Sequence, residues 1–149
     1  MNQYDVSSPP AGRFLLEVRR KGLIVPELCM DVANLIVIGS KQTHARLLGG
    51  DVANRSVTTI GFGTNATAPA DGNTALTGAF TKAIDQVTYP TTNSVRFAFS
   101  LASGENNGMA INEFGLLTAG GVLYARKNRS TPLNKDSDLS FSGAWTITF

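Results

Sequence analysis

The stretch that most constrains this chain runs from Gly108 to Asn128. It reads Gly-Met-Ala-Ile-Asn-Glu-Phe-Gly-Leu-Leu-Thr, then Ala-Gly-Gly, then Val-Leu-Tyr-Ala-Arg-Lys-Asn. Two apolar, β-prone runs flank a glycine turn in which Gly120 and Gly121 can supply positive φ, which predicts a hairpin at the centre of a β-sandwich. Its first strand poses a problem of faces. With a period of two, Ile111, Glu113, Gly115 and Leu117 share one face, and Ala110, Asn112, Phe114 and Leu116 share the other. Whichever face is the core takes in a polar side chain.

If Glu113 points inward it needs a cation or backbone donors, because an unpaired buried carboxylate is too costly to keep charged. A bulge at Gly115 would switch the register and bury Ile111 with Phe114 and Leu116. The structural reading of Glu113 is an ion pair or a strand-end hydrogen bond. A catalytic reading would need a second titrating partner, and none is spaced nearby.

The rest of the chain sets few chemical options. Its 149 residues suit one domain, with 42% hydrophobic and 16% charged residues and a formal charge of +2. Cys29 is the single cysteine and His44 the single histidine, which excludes an internal disulfide and a thiolate-pair zinc site. No catalytic, cofactor-binding or metal-ligating set is assigned. The small net charge does not suggest a nucleic-acid groove, and Arg19-Arg20-Lys21 and Arg126-Lys127-Asn128-Arg129 read as solvated strand ends. The apolar runs are too short to span a bilayer, and residues 1–13 lack a signal-peptide pattern, so no membrane insertion is expected.

In chain order, residues 1–13 carry Ser7-Ser8-Pro9-Pro10-Ala11-Gly12 and read as an N-terminal arm that orders only against a neighbour. Residues 14–149 read as one β-sandwich domain. Phe14 to Val18 is expected to pair with Leu23-Ile24-Val25 across Arg19-Arg20-Lys21-Gly22, with Pro26 marking an edge strand. Asn34 to Ile38 reads as a strand buried on both sides. Residues 40–48 make the one helix, capped by Ser40 and stopped by Gly49-Gly50, with Ala45, Leu47 and Leu48 on its apolar side. His44, beside that side, reads as a packed or half-exposed structural residue.

Val57 to Thr64 reads as a strand with Ile60 and Phe62 on one face. Asn65 to Gly78 reads as a long loop turning at Asp71-Gly72-Asn73, where calcium would need further oxygen ligands. Phe80 to Tyr89 and Ser94 to Ala102 form a hairpin, with Val95, Phe97, Phe99 and Leu101 alternating inward. Asn128 to Asp138 reads as a polar connection, and Leu139 to Phe149 closes the chain with Trp145, Ile147 and Phe149 inward. The sum is an all-β fold, β-sandwich or jelly-roll-like, with one short α-helix near residues 40–48.

Three groups of segments, taken together, resemble the baseplate-proximal domain of tail-collar and tail-fibre proteins of tailed bacteriophages. They are Asn34-Leu35-Ile36-Val37 leading to Ala45-Arg46-Leu47-Leu48-Gly49-Gly50; Ile60-Gly61-Phe62-Gly63-Thr64 with Ala68-Pro69 and Thr74-Ala75-Leu76; and Ile111-Asn112-Glu113-Phe114-Gly115-Leu116 before Gly121-Val122-Leu123-Tyr124-Ala125-Arg126. The resemblance covers the chain from about Phe14 onward, and its order and spacing are more specific than any one motif. It implies a non-enzymatic virion part, made in the host bacterial cytoplasm, that forms homo-oligomers and joins other phage tail, baseplate or fibre proteins. With no fibrous shaft or receptor-binding head after Phe149, an adaptor or attachment role is expected over receptor recognition. Two alternatives stand beside it: a capsid decoration protein, which would also be a small β-rich domain with an arm, and a carbohydrate-binding module or carbohydrate-active enzyme using Trp145, Tyr124 and Tyr89 as stacking faces, against which Trp145 and Tyr89 share the strand face assigned to the core.

Overall fold

The computed structural model describes residues 9–149. Strands β1 (Ala11–Arg20), β2 (Leu28–Ile36), β3 (Val57–Gly63), β4 (Phe80–Ala83), β5 (Gln86–Thr88), β6 (Ser94–Leu101), β7 (Ala110–Thr118), β8 (Leu123–Asn134) and β9 (Leu139–Thr148) surround one helix, α1 (Gly39–Leu48). They form one nine-stranded antiparallel sheet in the order β4-β3-β7-β8-β2-β1-β9-β6-β5. The fold is all-β with a single short helix, and its sandwich-like packing comes from this one sheet curling over on itself.

β2 makes the curl possible by serving two neighbours in turn. Leu28 to Asn34 pair with β1, and Leu35 and Ile36 pair with Arg126 and Ala125 of β8. The far edges meet where β4 runs into β5: the Ile84 N–H bonds Thr58 O (2.9 Å) and the Asp85 N–H bonds Ala98 O (2.9 Å), so one residue step crosses from β3 to β6. Inside the curl, alternate residues bury Phe14, Leu16 and Val18 of β1, Phe97, Phe99 and Leu101 of β6, and Phe141, Trp145 and Ile147 of β9, facing Ile60, Phe62, Phe114 and Leu116. Phe14 sits at the centre, 4.8 Å from the Trp145 ring and 4.9 Å from Phe114.

Several expectations are corrected. Leu23-Ile24-Val25 is not a strand: β1 turns through residues 21–27, and β1 pairs with residues 28–34. A strand there would have been a three-residue arm, too short to pair along β1, whereas the seven residues Leu28 to Asn34 pair with β1 from Val18 to Gly12. Pro26 lies in this turn, and β2 is interior to the sheet rather than an edge. β2 is half-buried, with Leu35 exposed, because only its inner face meets the core; Ile38, beyond its end, is also exposed. β1 begins at Ala11, inside the expected arm; residues 1–8 of that arm lie outside the described residues.

The 80–89 segment splits into two strands on opposite edges of the sheet, and only β5 joins β6 across Pro90 to Asn93. β8 runs on to Asn134, so most of the expected 128–138 connection is strand. Ser40 does not cap α1: Ile38 holds the cap position without a side-chain bond, and Ser40 is buried in the first turn. The helix buries Gly39, Ser40 and Thr43, while Leu47 and Leu48 face outward. Of the hairpin pair Gly120 and Gly121, only Gly121 has positive φ, at 82°.

Candidate functional site

The Glu113 problem is solved from outside the sheet. Ile111, Phe114 and Leu116 do bury together, but the switch of face falls at Asn112, where β8 slips from Leu133 to Asn128 against two residues of β7. Gly115 keeps regular register with Gly61 and Arg126, so the expected bulge there is absent. Glu113 therefore lies on the outer face in the row Gly63, Glu113, Asn128, next to the row Gly61, Gly115, Arg126. Added Cβ atoms at Gly61 and Gly115 would meet the Leu76 methyls, and one at Gly63 would meet the Glu113 carboxylate. The three glycines form a trough for one acid, one base and one leucine of the covering loop.

That loop, residues 64–79, closes over the trough. Glu113 Oε2 accepts from Arg126 Nε at 2.7 Å, and Oε1 accepts from the N–H of Thr77 at 2.6 Å and of Asn65 at 3.3 Å. Arg126 donates its other nitrogens to Asn73 Oδ1 at 3.2 Å and Asn65 O at 3.1 Å, and Asn128 Nδ2 reaches Ala66 O at 2.7 Å. Glu113 and Arg126 are both buried, which corrects the reading of Arg126 as a solvated strand end. With its lone pairs taken by a guanidinium and two backbone donors, Glu113 pins the loop to the sheet. Asp71-Gly72-Asn73 is the loop's turn, and Asn73 Oδ1 is spent on Arg126 and the Ala70 N–H.

Lys135, in the expected polar connection, is also buried. Its ammonium donates to Ser103 O, Asn107 Oδ1 and Asp136 O at 2.7–3.0 Å, filling all three donors and holding the β6–β7 turn. Burial pushes its pKa down.

A cleft of about 590 Å³ opens between α1, the start of β3, β5 and β6, and the end of β9. Val57, Val95, Phe97 and Ile147 are among its walls, and Leu47, Val87, Tyr89 and Phe149 are its half-exposed or exposed apolar residues. His44 and Tyr124 supply its main polar feature: Nε2 lies 2.7 Å from the phenol oxygen, and the rings meet edge to face at 5.4 Å. Burial lowers the His44 pKa and raises that of Tyr124 to about 12, so both are neutral near pH 7 and one proton bridges the pair. Arg55, which bonds Asp51 at 3.0 Å, keeps its Nε buried on the cleft wall with no hydrogen-bond partner. A concavity of this size, lined mainly by apolar side chains with a few polar groups, has the character of a site for an apolar group.

Tyr89 and Phe149, expected inward, sit 76% and 54% exposed at this cleft because β5 is the sheet's edge and β9 ends beside it. Trp145 is fully buried and presents no stacking face. The C-terminal residue is still held, its N–H on Asn93 O and its carbonyl accepting from Asn93 Nδ2. Among the described residues, no group of three His, Cys, Asp or Glu side chains could hold a metal ion, and no helix is long and apolar enough to cross a membrane. Lys135 and Arg55 were not singled out from sequence, and Arg126 was read as solvated; the one available signal was Gly61-Phe62-Gly63 reading against Glu113-Phe114-Gly115, glycines that leave room for a charge. Comparisons with protein-family models, curated proteins and solved structures each return no match.

Proposed function

We propose that this chain is a non-enzymatic structural virion protein of a tailed bacteriophage, a tail, baseplate or collar component that self-associates and attaches fibres or joins tail parts. The observation that carries the reading is the placement of exposed apolar surface. Most of it lies at the 21–27 turn (Leu23, Ile24, Val25) and around the cleft (Leu47, Val87, Tyr89, Phe149), with Leu35, Ile38, Leu48 and Val52 elsewhere, more than a part left uncovered by neighbours would be expected to show. The buried charges have structural work: Glu113 and Arg126 hold a loop, and Lys135 holds a turn. The resemblance to tail-collar and tail-fibre domains supplies the setting.

Light scattering on the purified protein tests self-association, and nanogold labelling of intact particles tests position; label on the head would favour the capsid-decoration alternative. Carbohydrate binding gains one observation, the exposed Tyr89 beside Phe149, and glycan-array binding by the isolated protein would favour it over assembly.

A further inference from the structure

Lys135 is a buried cation whose bonded partners are all neutral. Its ammonium donates to Ser103 O and Asp136 O at 3.0 Å and to Asn107 Oδ1 at 2.7 Å. The carboxylates whose charge reaches it are spent elsewhere: Glu105 on Lys82 and the Ala102 N–H, and Asp136 on Arg20 and the Asp138 N–H. The shortest of its three bonds goes to the side chain of Asn107, which is exposed and is followed by Gly108 in the chain's single Asn-Gly step. We propose that Asn107 is a self-modification site: it loses its side-chain ammonia to attack by the Gly108 nitrogen, and the aspartate that results becomes the counter-ion of Lys135. This goes beyond the assembly reading and does not rest on it.

The geometry supplies each part of the step. Gly108 has no Cβ to hinder its nitrogen, and the space where one would stand is open to 4 Å, at a φ of 93°. As the Gly108 nitrogen gives its proton to solvent hydroxide and bonds to Asn107 Cγ, negative charge gathers on Oδ1, where the Lys135 ammonium already donates. The Cγ–Nδ2 bond then breaks and ammonia departs, leaving a succinimide ring. Water, which reaches the exposed Asn107, opens that ring at one of its two carbonyls. Attack at Cγ restores the ordinary backbone with an aspartate side chain, and attack at the main-chain carbonyl carbon gives isoaspartate. Lys135 stands at the Cγ oxygen and so favours the aspartate, which replaces a neutral bond to a buried cation with a charge-assisted one. One contact sets the pace: the Gly108 N–H donates to Lys135 O at 2.8 Å, so the nitrogen is free to attack only while that bond is open. The product then holds the β6–β7 turn more firmly, as a one-way lock.

Peptide mapping by mass spectrometry on the freshly purified chain, then aged in mildly alkaline buffer, tests this beside the chain aged in urea and the variants Lys135→Met and Asn107→Asp. In the folded chain Asn107 should convert from amide to acid ahead of every other asparagine, with aspartate as the main product. Isoaspartate should take the larger share in urea and in Lys135→Met, where no ammonium stands at the Cγ oxygen; the urea arm carries the comparison if Lys135→Met does not fold. Asn107→Asp should melt about 2–4 °C above the fresh native chain, the gain of one charge-assisted bond over a neutral one. An Asn107 still intact when other asparagines have converted, an isoaspartate share in the folded chain equal to that in urea, or an Asn107→Asp variant no more stable than the native chain would each overturn the proposal. So would a loss of ammonia that survives alkali and joins the Asn107 and Lys135 peptides, since the Lys135 amine and not the Gly108 nitrogen would then be the attacking group.

Discussion

Replacing Arg126 by Met tests how the long loop is held. The substitution keeps the aliphatic stem and removes three donors: Nε to Glu113, and the terminal nitrogens to Asn73 and Asn65. The Glu113 carboxylate, fully buried, is left with the Thr77 and Asn65 amides as its only partners. Removing one partner of a buried pair costs about 3–5 kcal/mol, because the remaining charge stays desolvated. For a chain of this size that is a fall in melting temperature of roughly 10–15 °C.

Urea unfolding of Arg126→Met, Glu113→Leu and the double variant gives the coupling. The double variant should lose clearly less than the sum of the singles, since it removes the uncompensated charge. Hydrogen exchange at the Thr77 and Asn65 amides should rise in each. A loss under about 1 kcal/mol in Arg126→Met, or unchanged exchange at those two amides, would refute the account of the loop as pinned by this pair.

Four further outcomes are expected. Trp145→Ala should cost about 3–5 kcal/mol in urea unfolding, since the indole is fully buried against Phe14. Gly143→Ala should cost about 1–3 kcal/mol by the same assay, because an added Cβ meets the Leu15 carbonyl and the Phe99 ring, and the backbone oxygen cannot swing aside. Burial holds His44 below its ordinary value of 6.5, so as the pH falls the unfolded chain takes up the proton first. Stability contributed by neutral His44 is therefore full above about pH 6.5 and declines below it until the folded pKa is passed; urea midpoints should show this slope in the native chain and not in His44→Gln. If the chain is the assembly part proposed above, deleting residues 1–8, which keeps all of β1 from Ala11, should lower incorporation into particles measured by quantitative blotting.

The sequence by itself determined the class of fold and most of the core. Phe97, Phe99 and Leu101, Ile60 and Phe62, and Trp145 and Ile147 announce their inward faces through a period of two, a property each strand carries locally. The glycine turn at 120–121, the helix near residues 40–48 and the 65–78 loop were legible for the same reason. Tertiary structure decided what local pattern cannot encode: which strand pairs with which, and what covers an outer face. Leu23-Ile24-Val25 and Leu28 to Asn34 both offer apolar residues to β1, and only register against β1 and β8 together selects the second. Tyr89 and Phe149 follow the inward alternation yet sit exposed, because the sheet ends beside them. Glu113 has no partner within reach along its own strand; its cation is thirteen residues on and its backbone donors are 36 and 48 residues back, brought together only when the loop closes over the glycine trough.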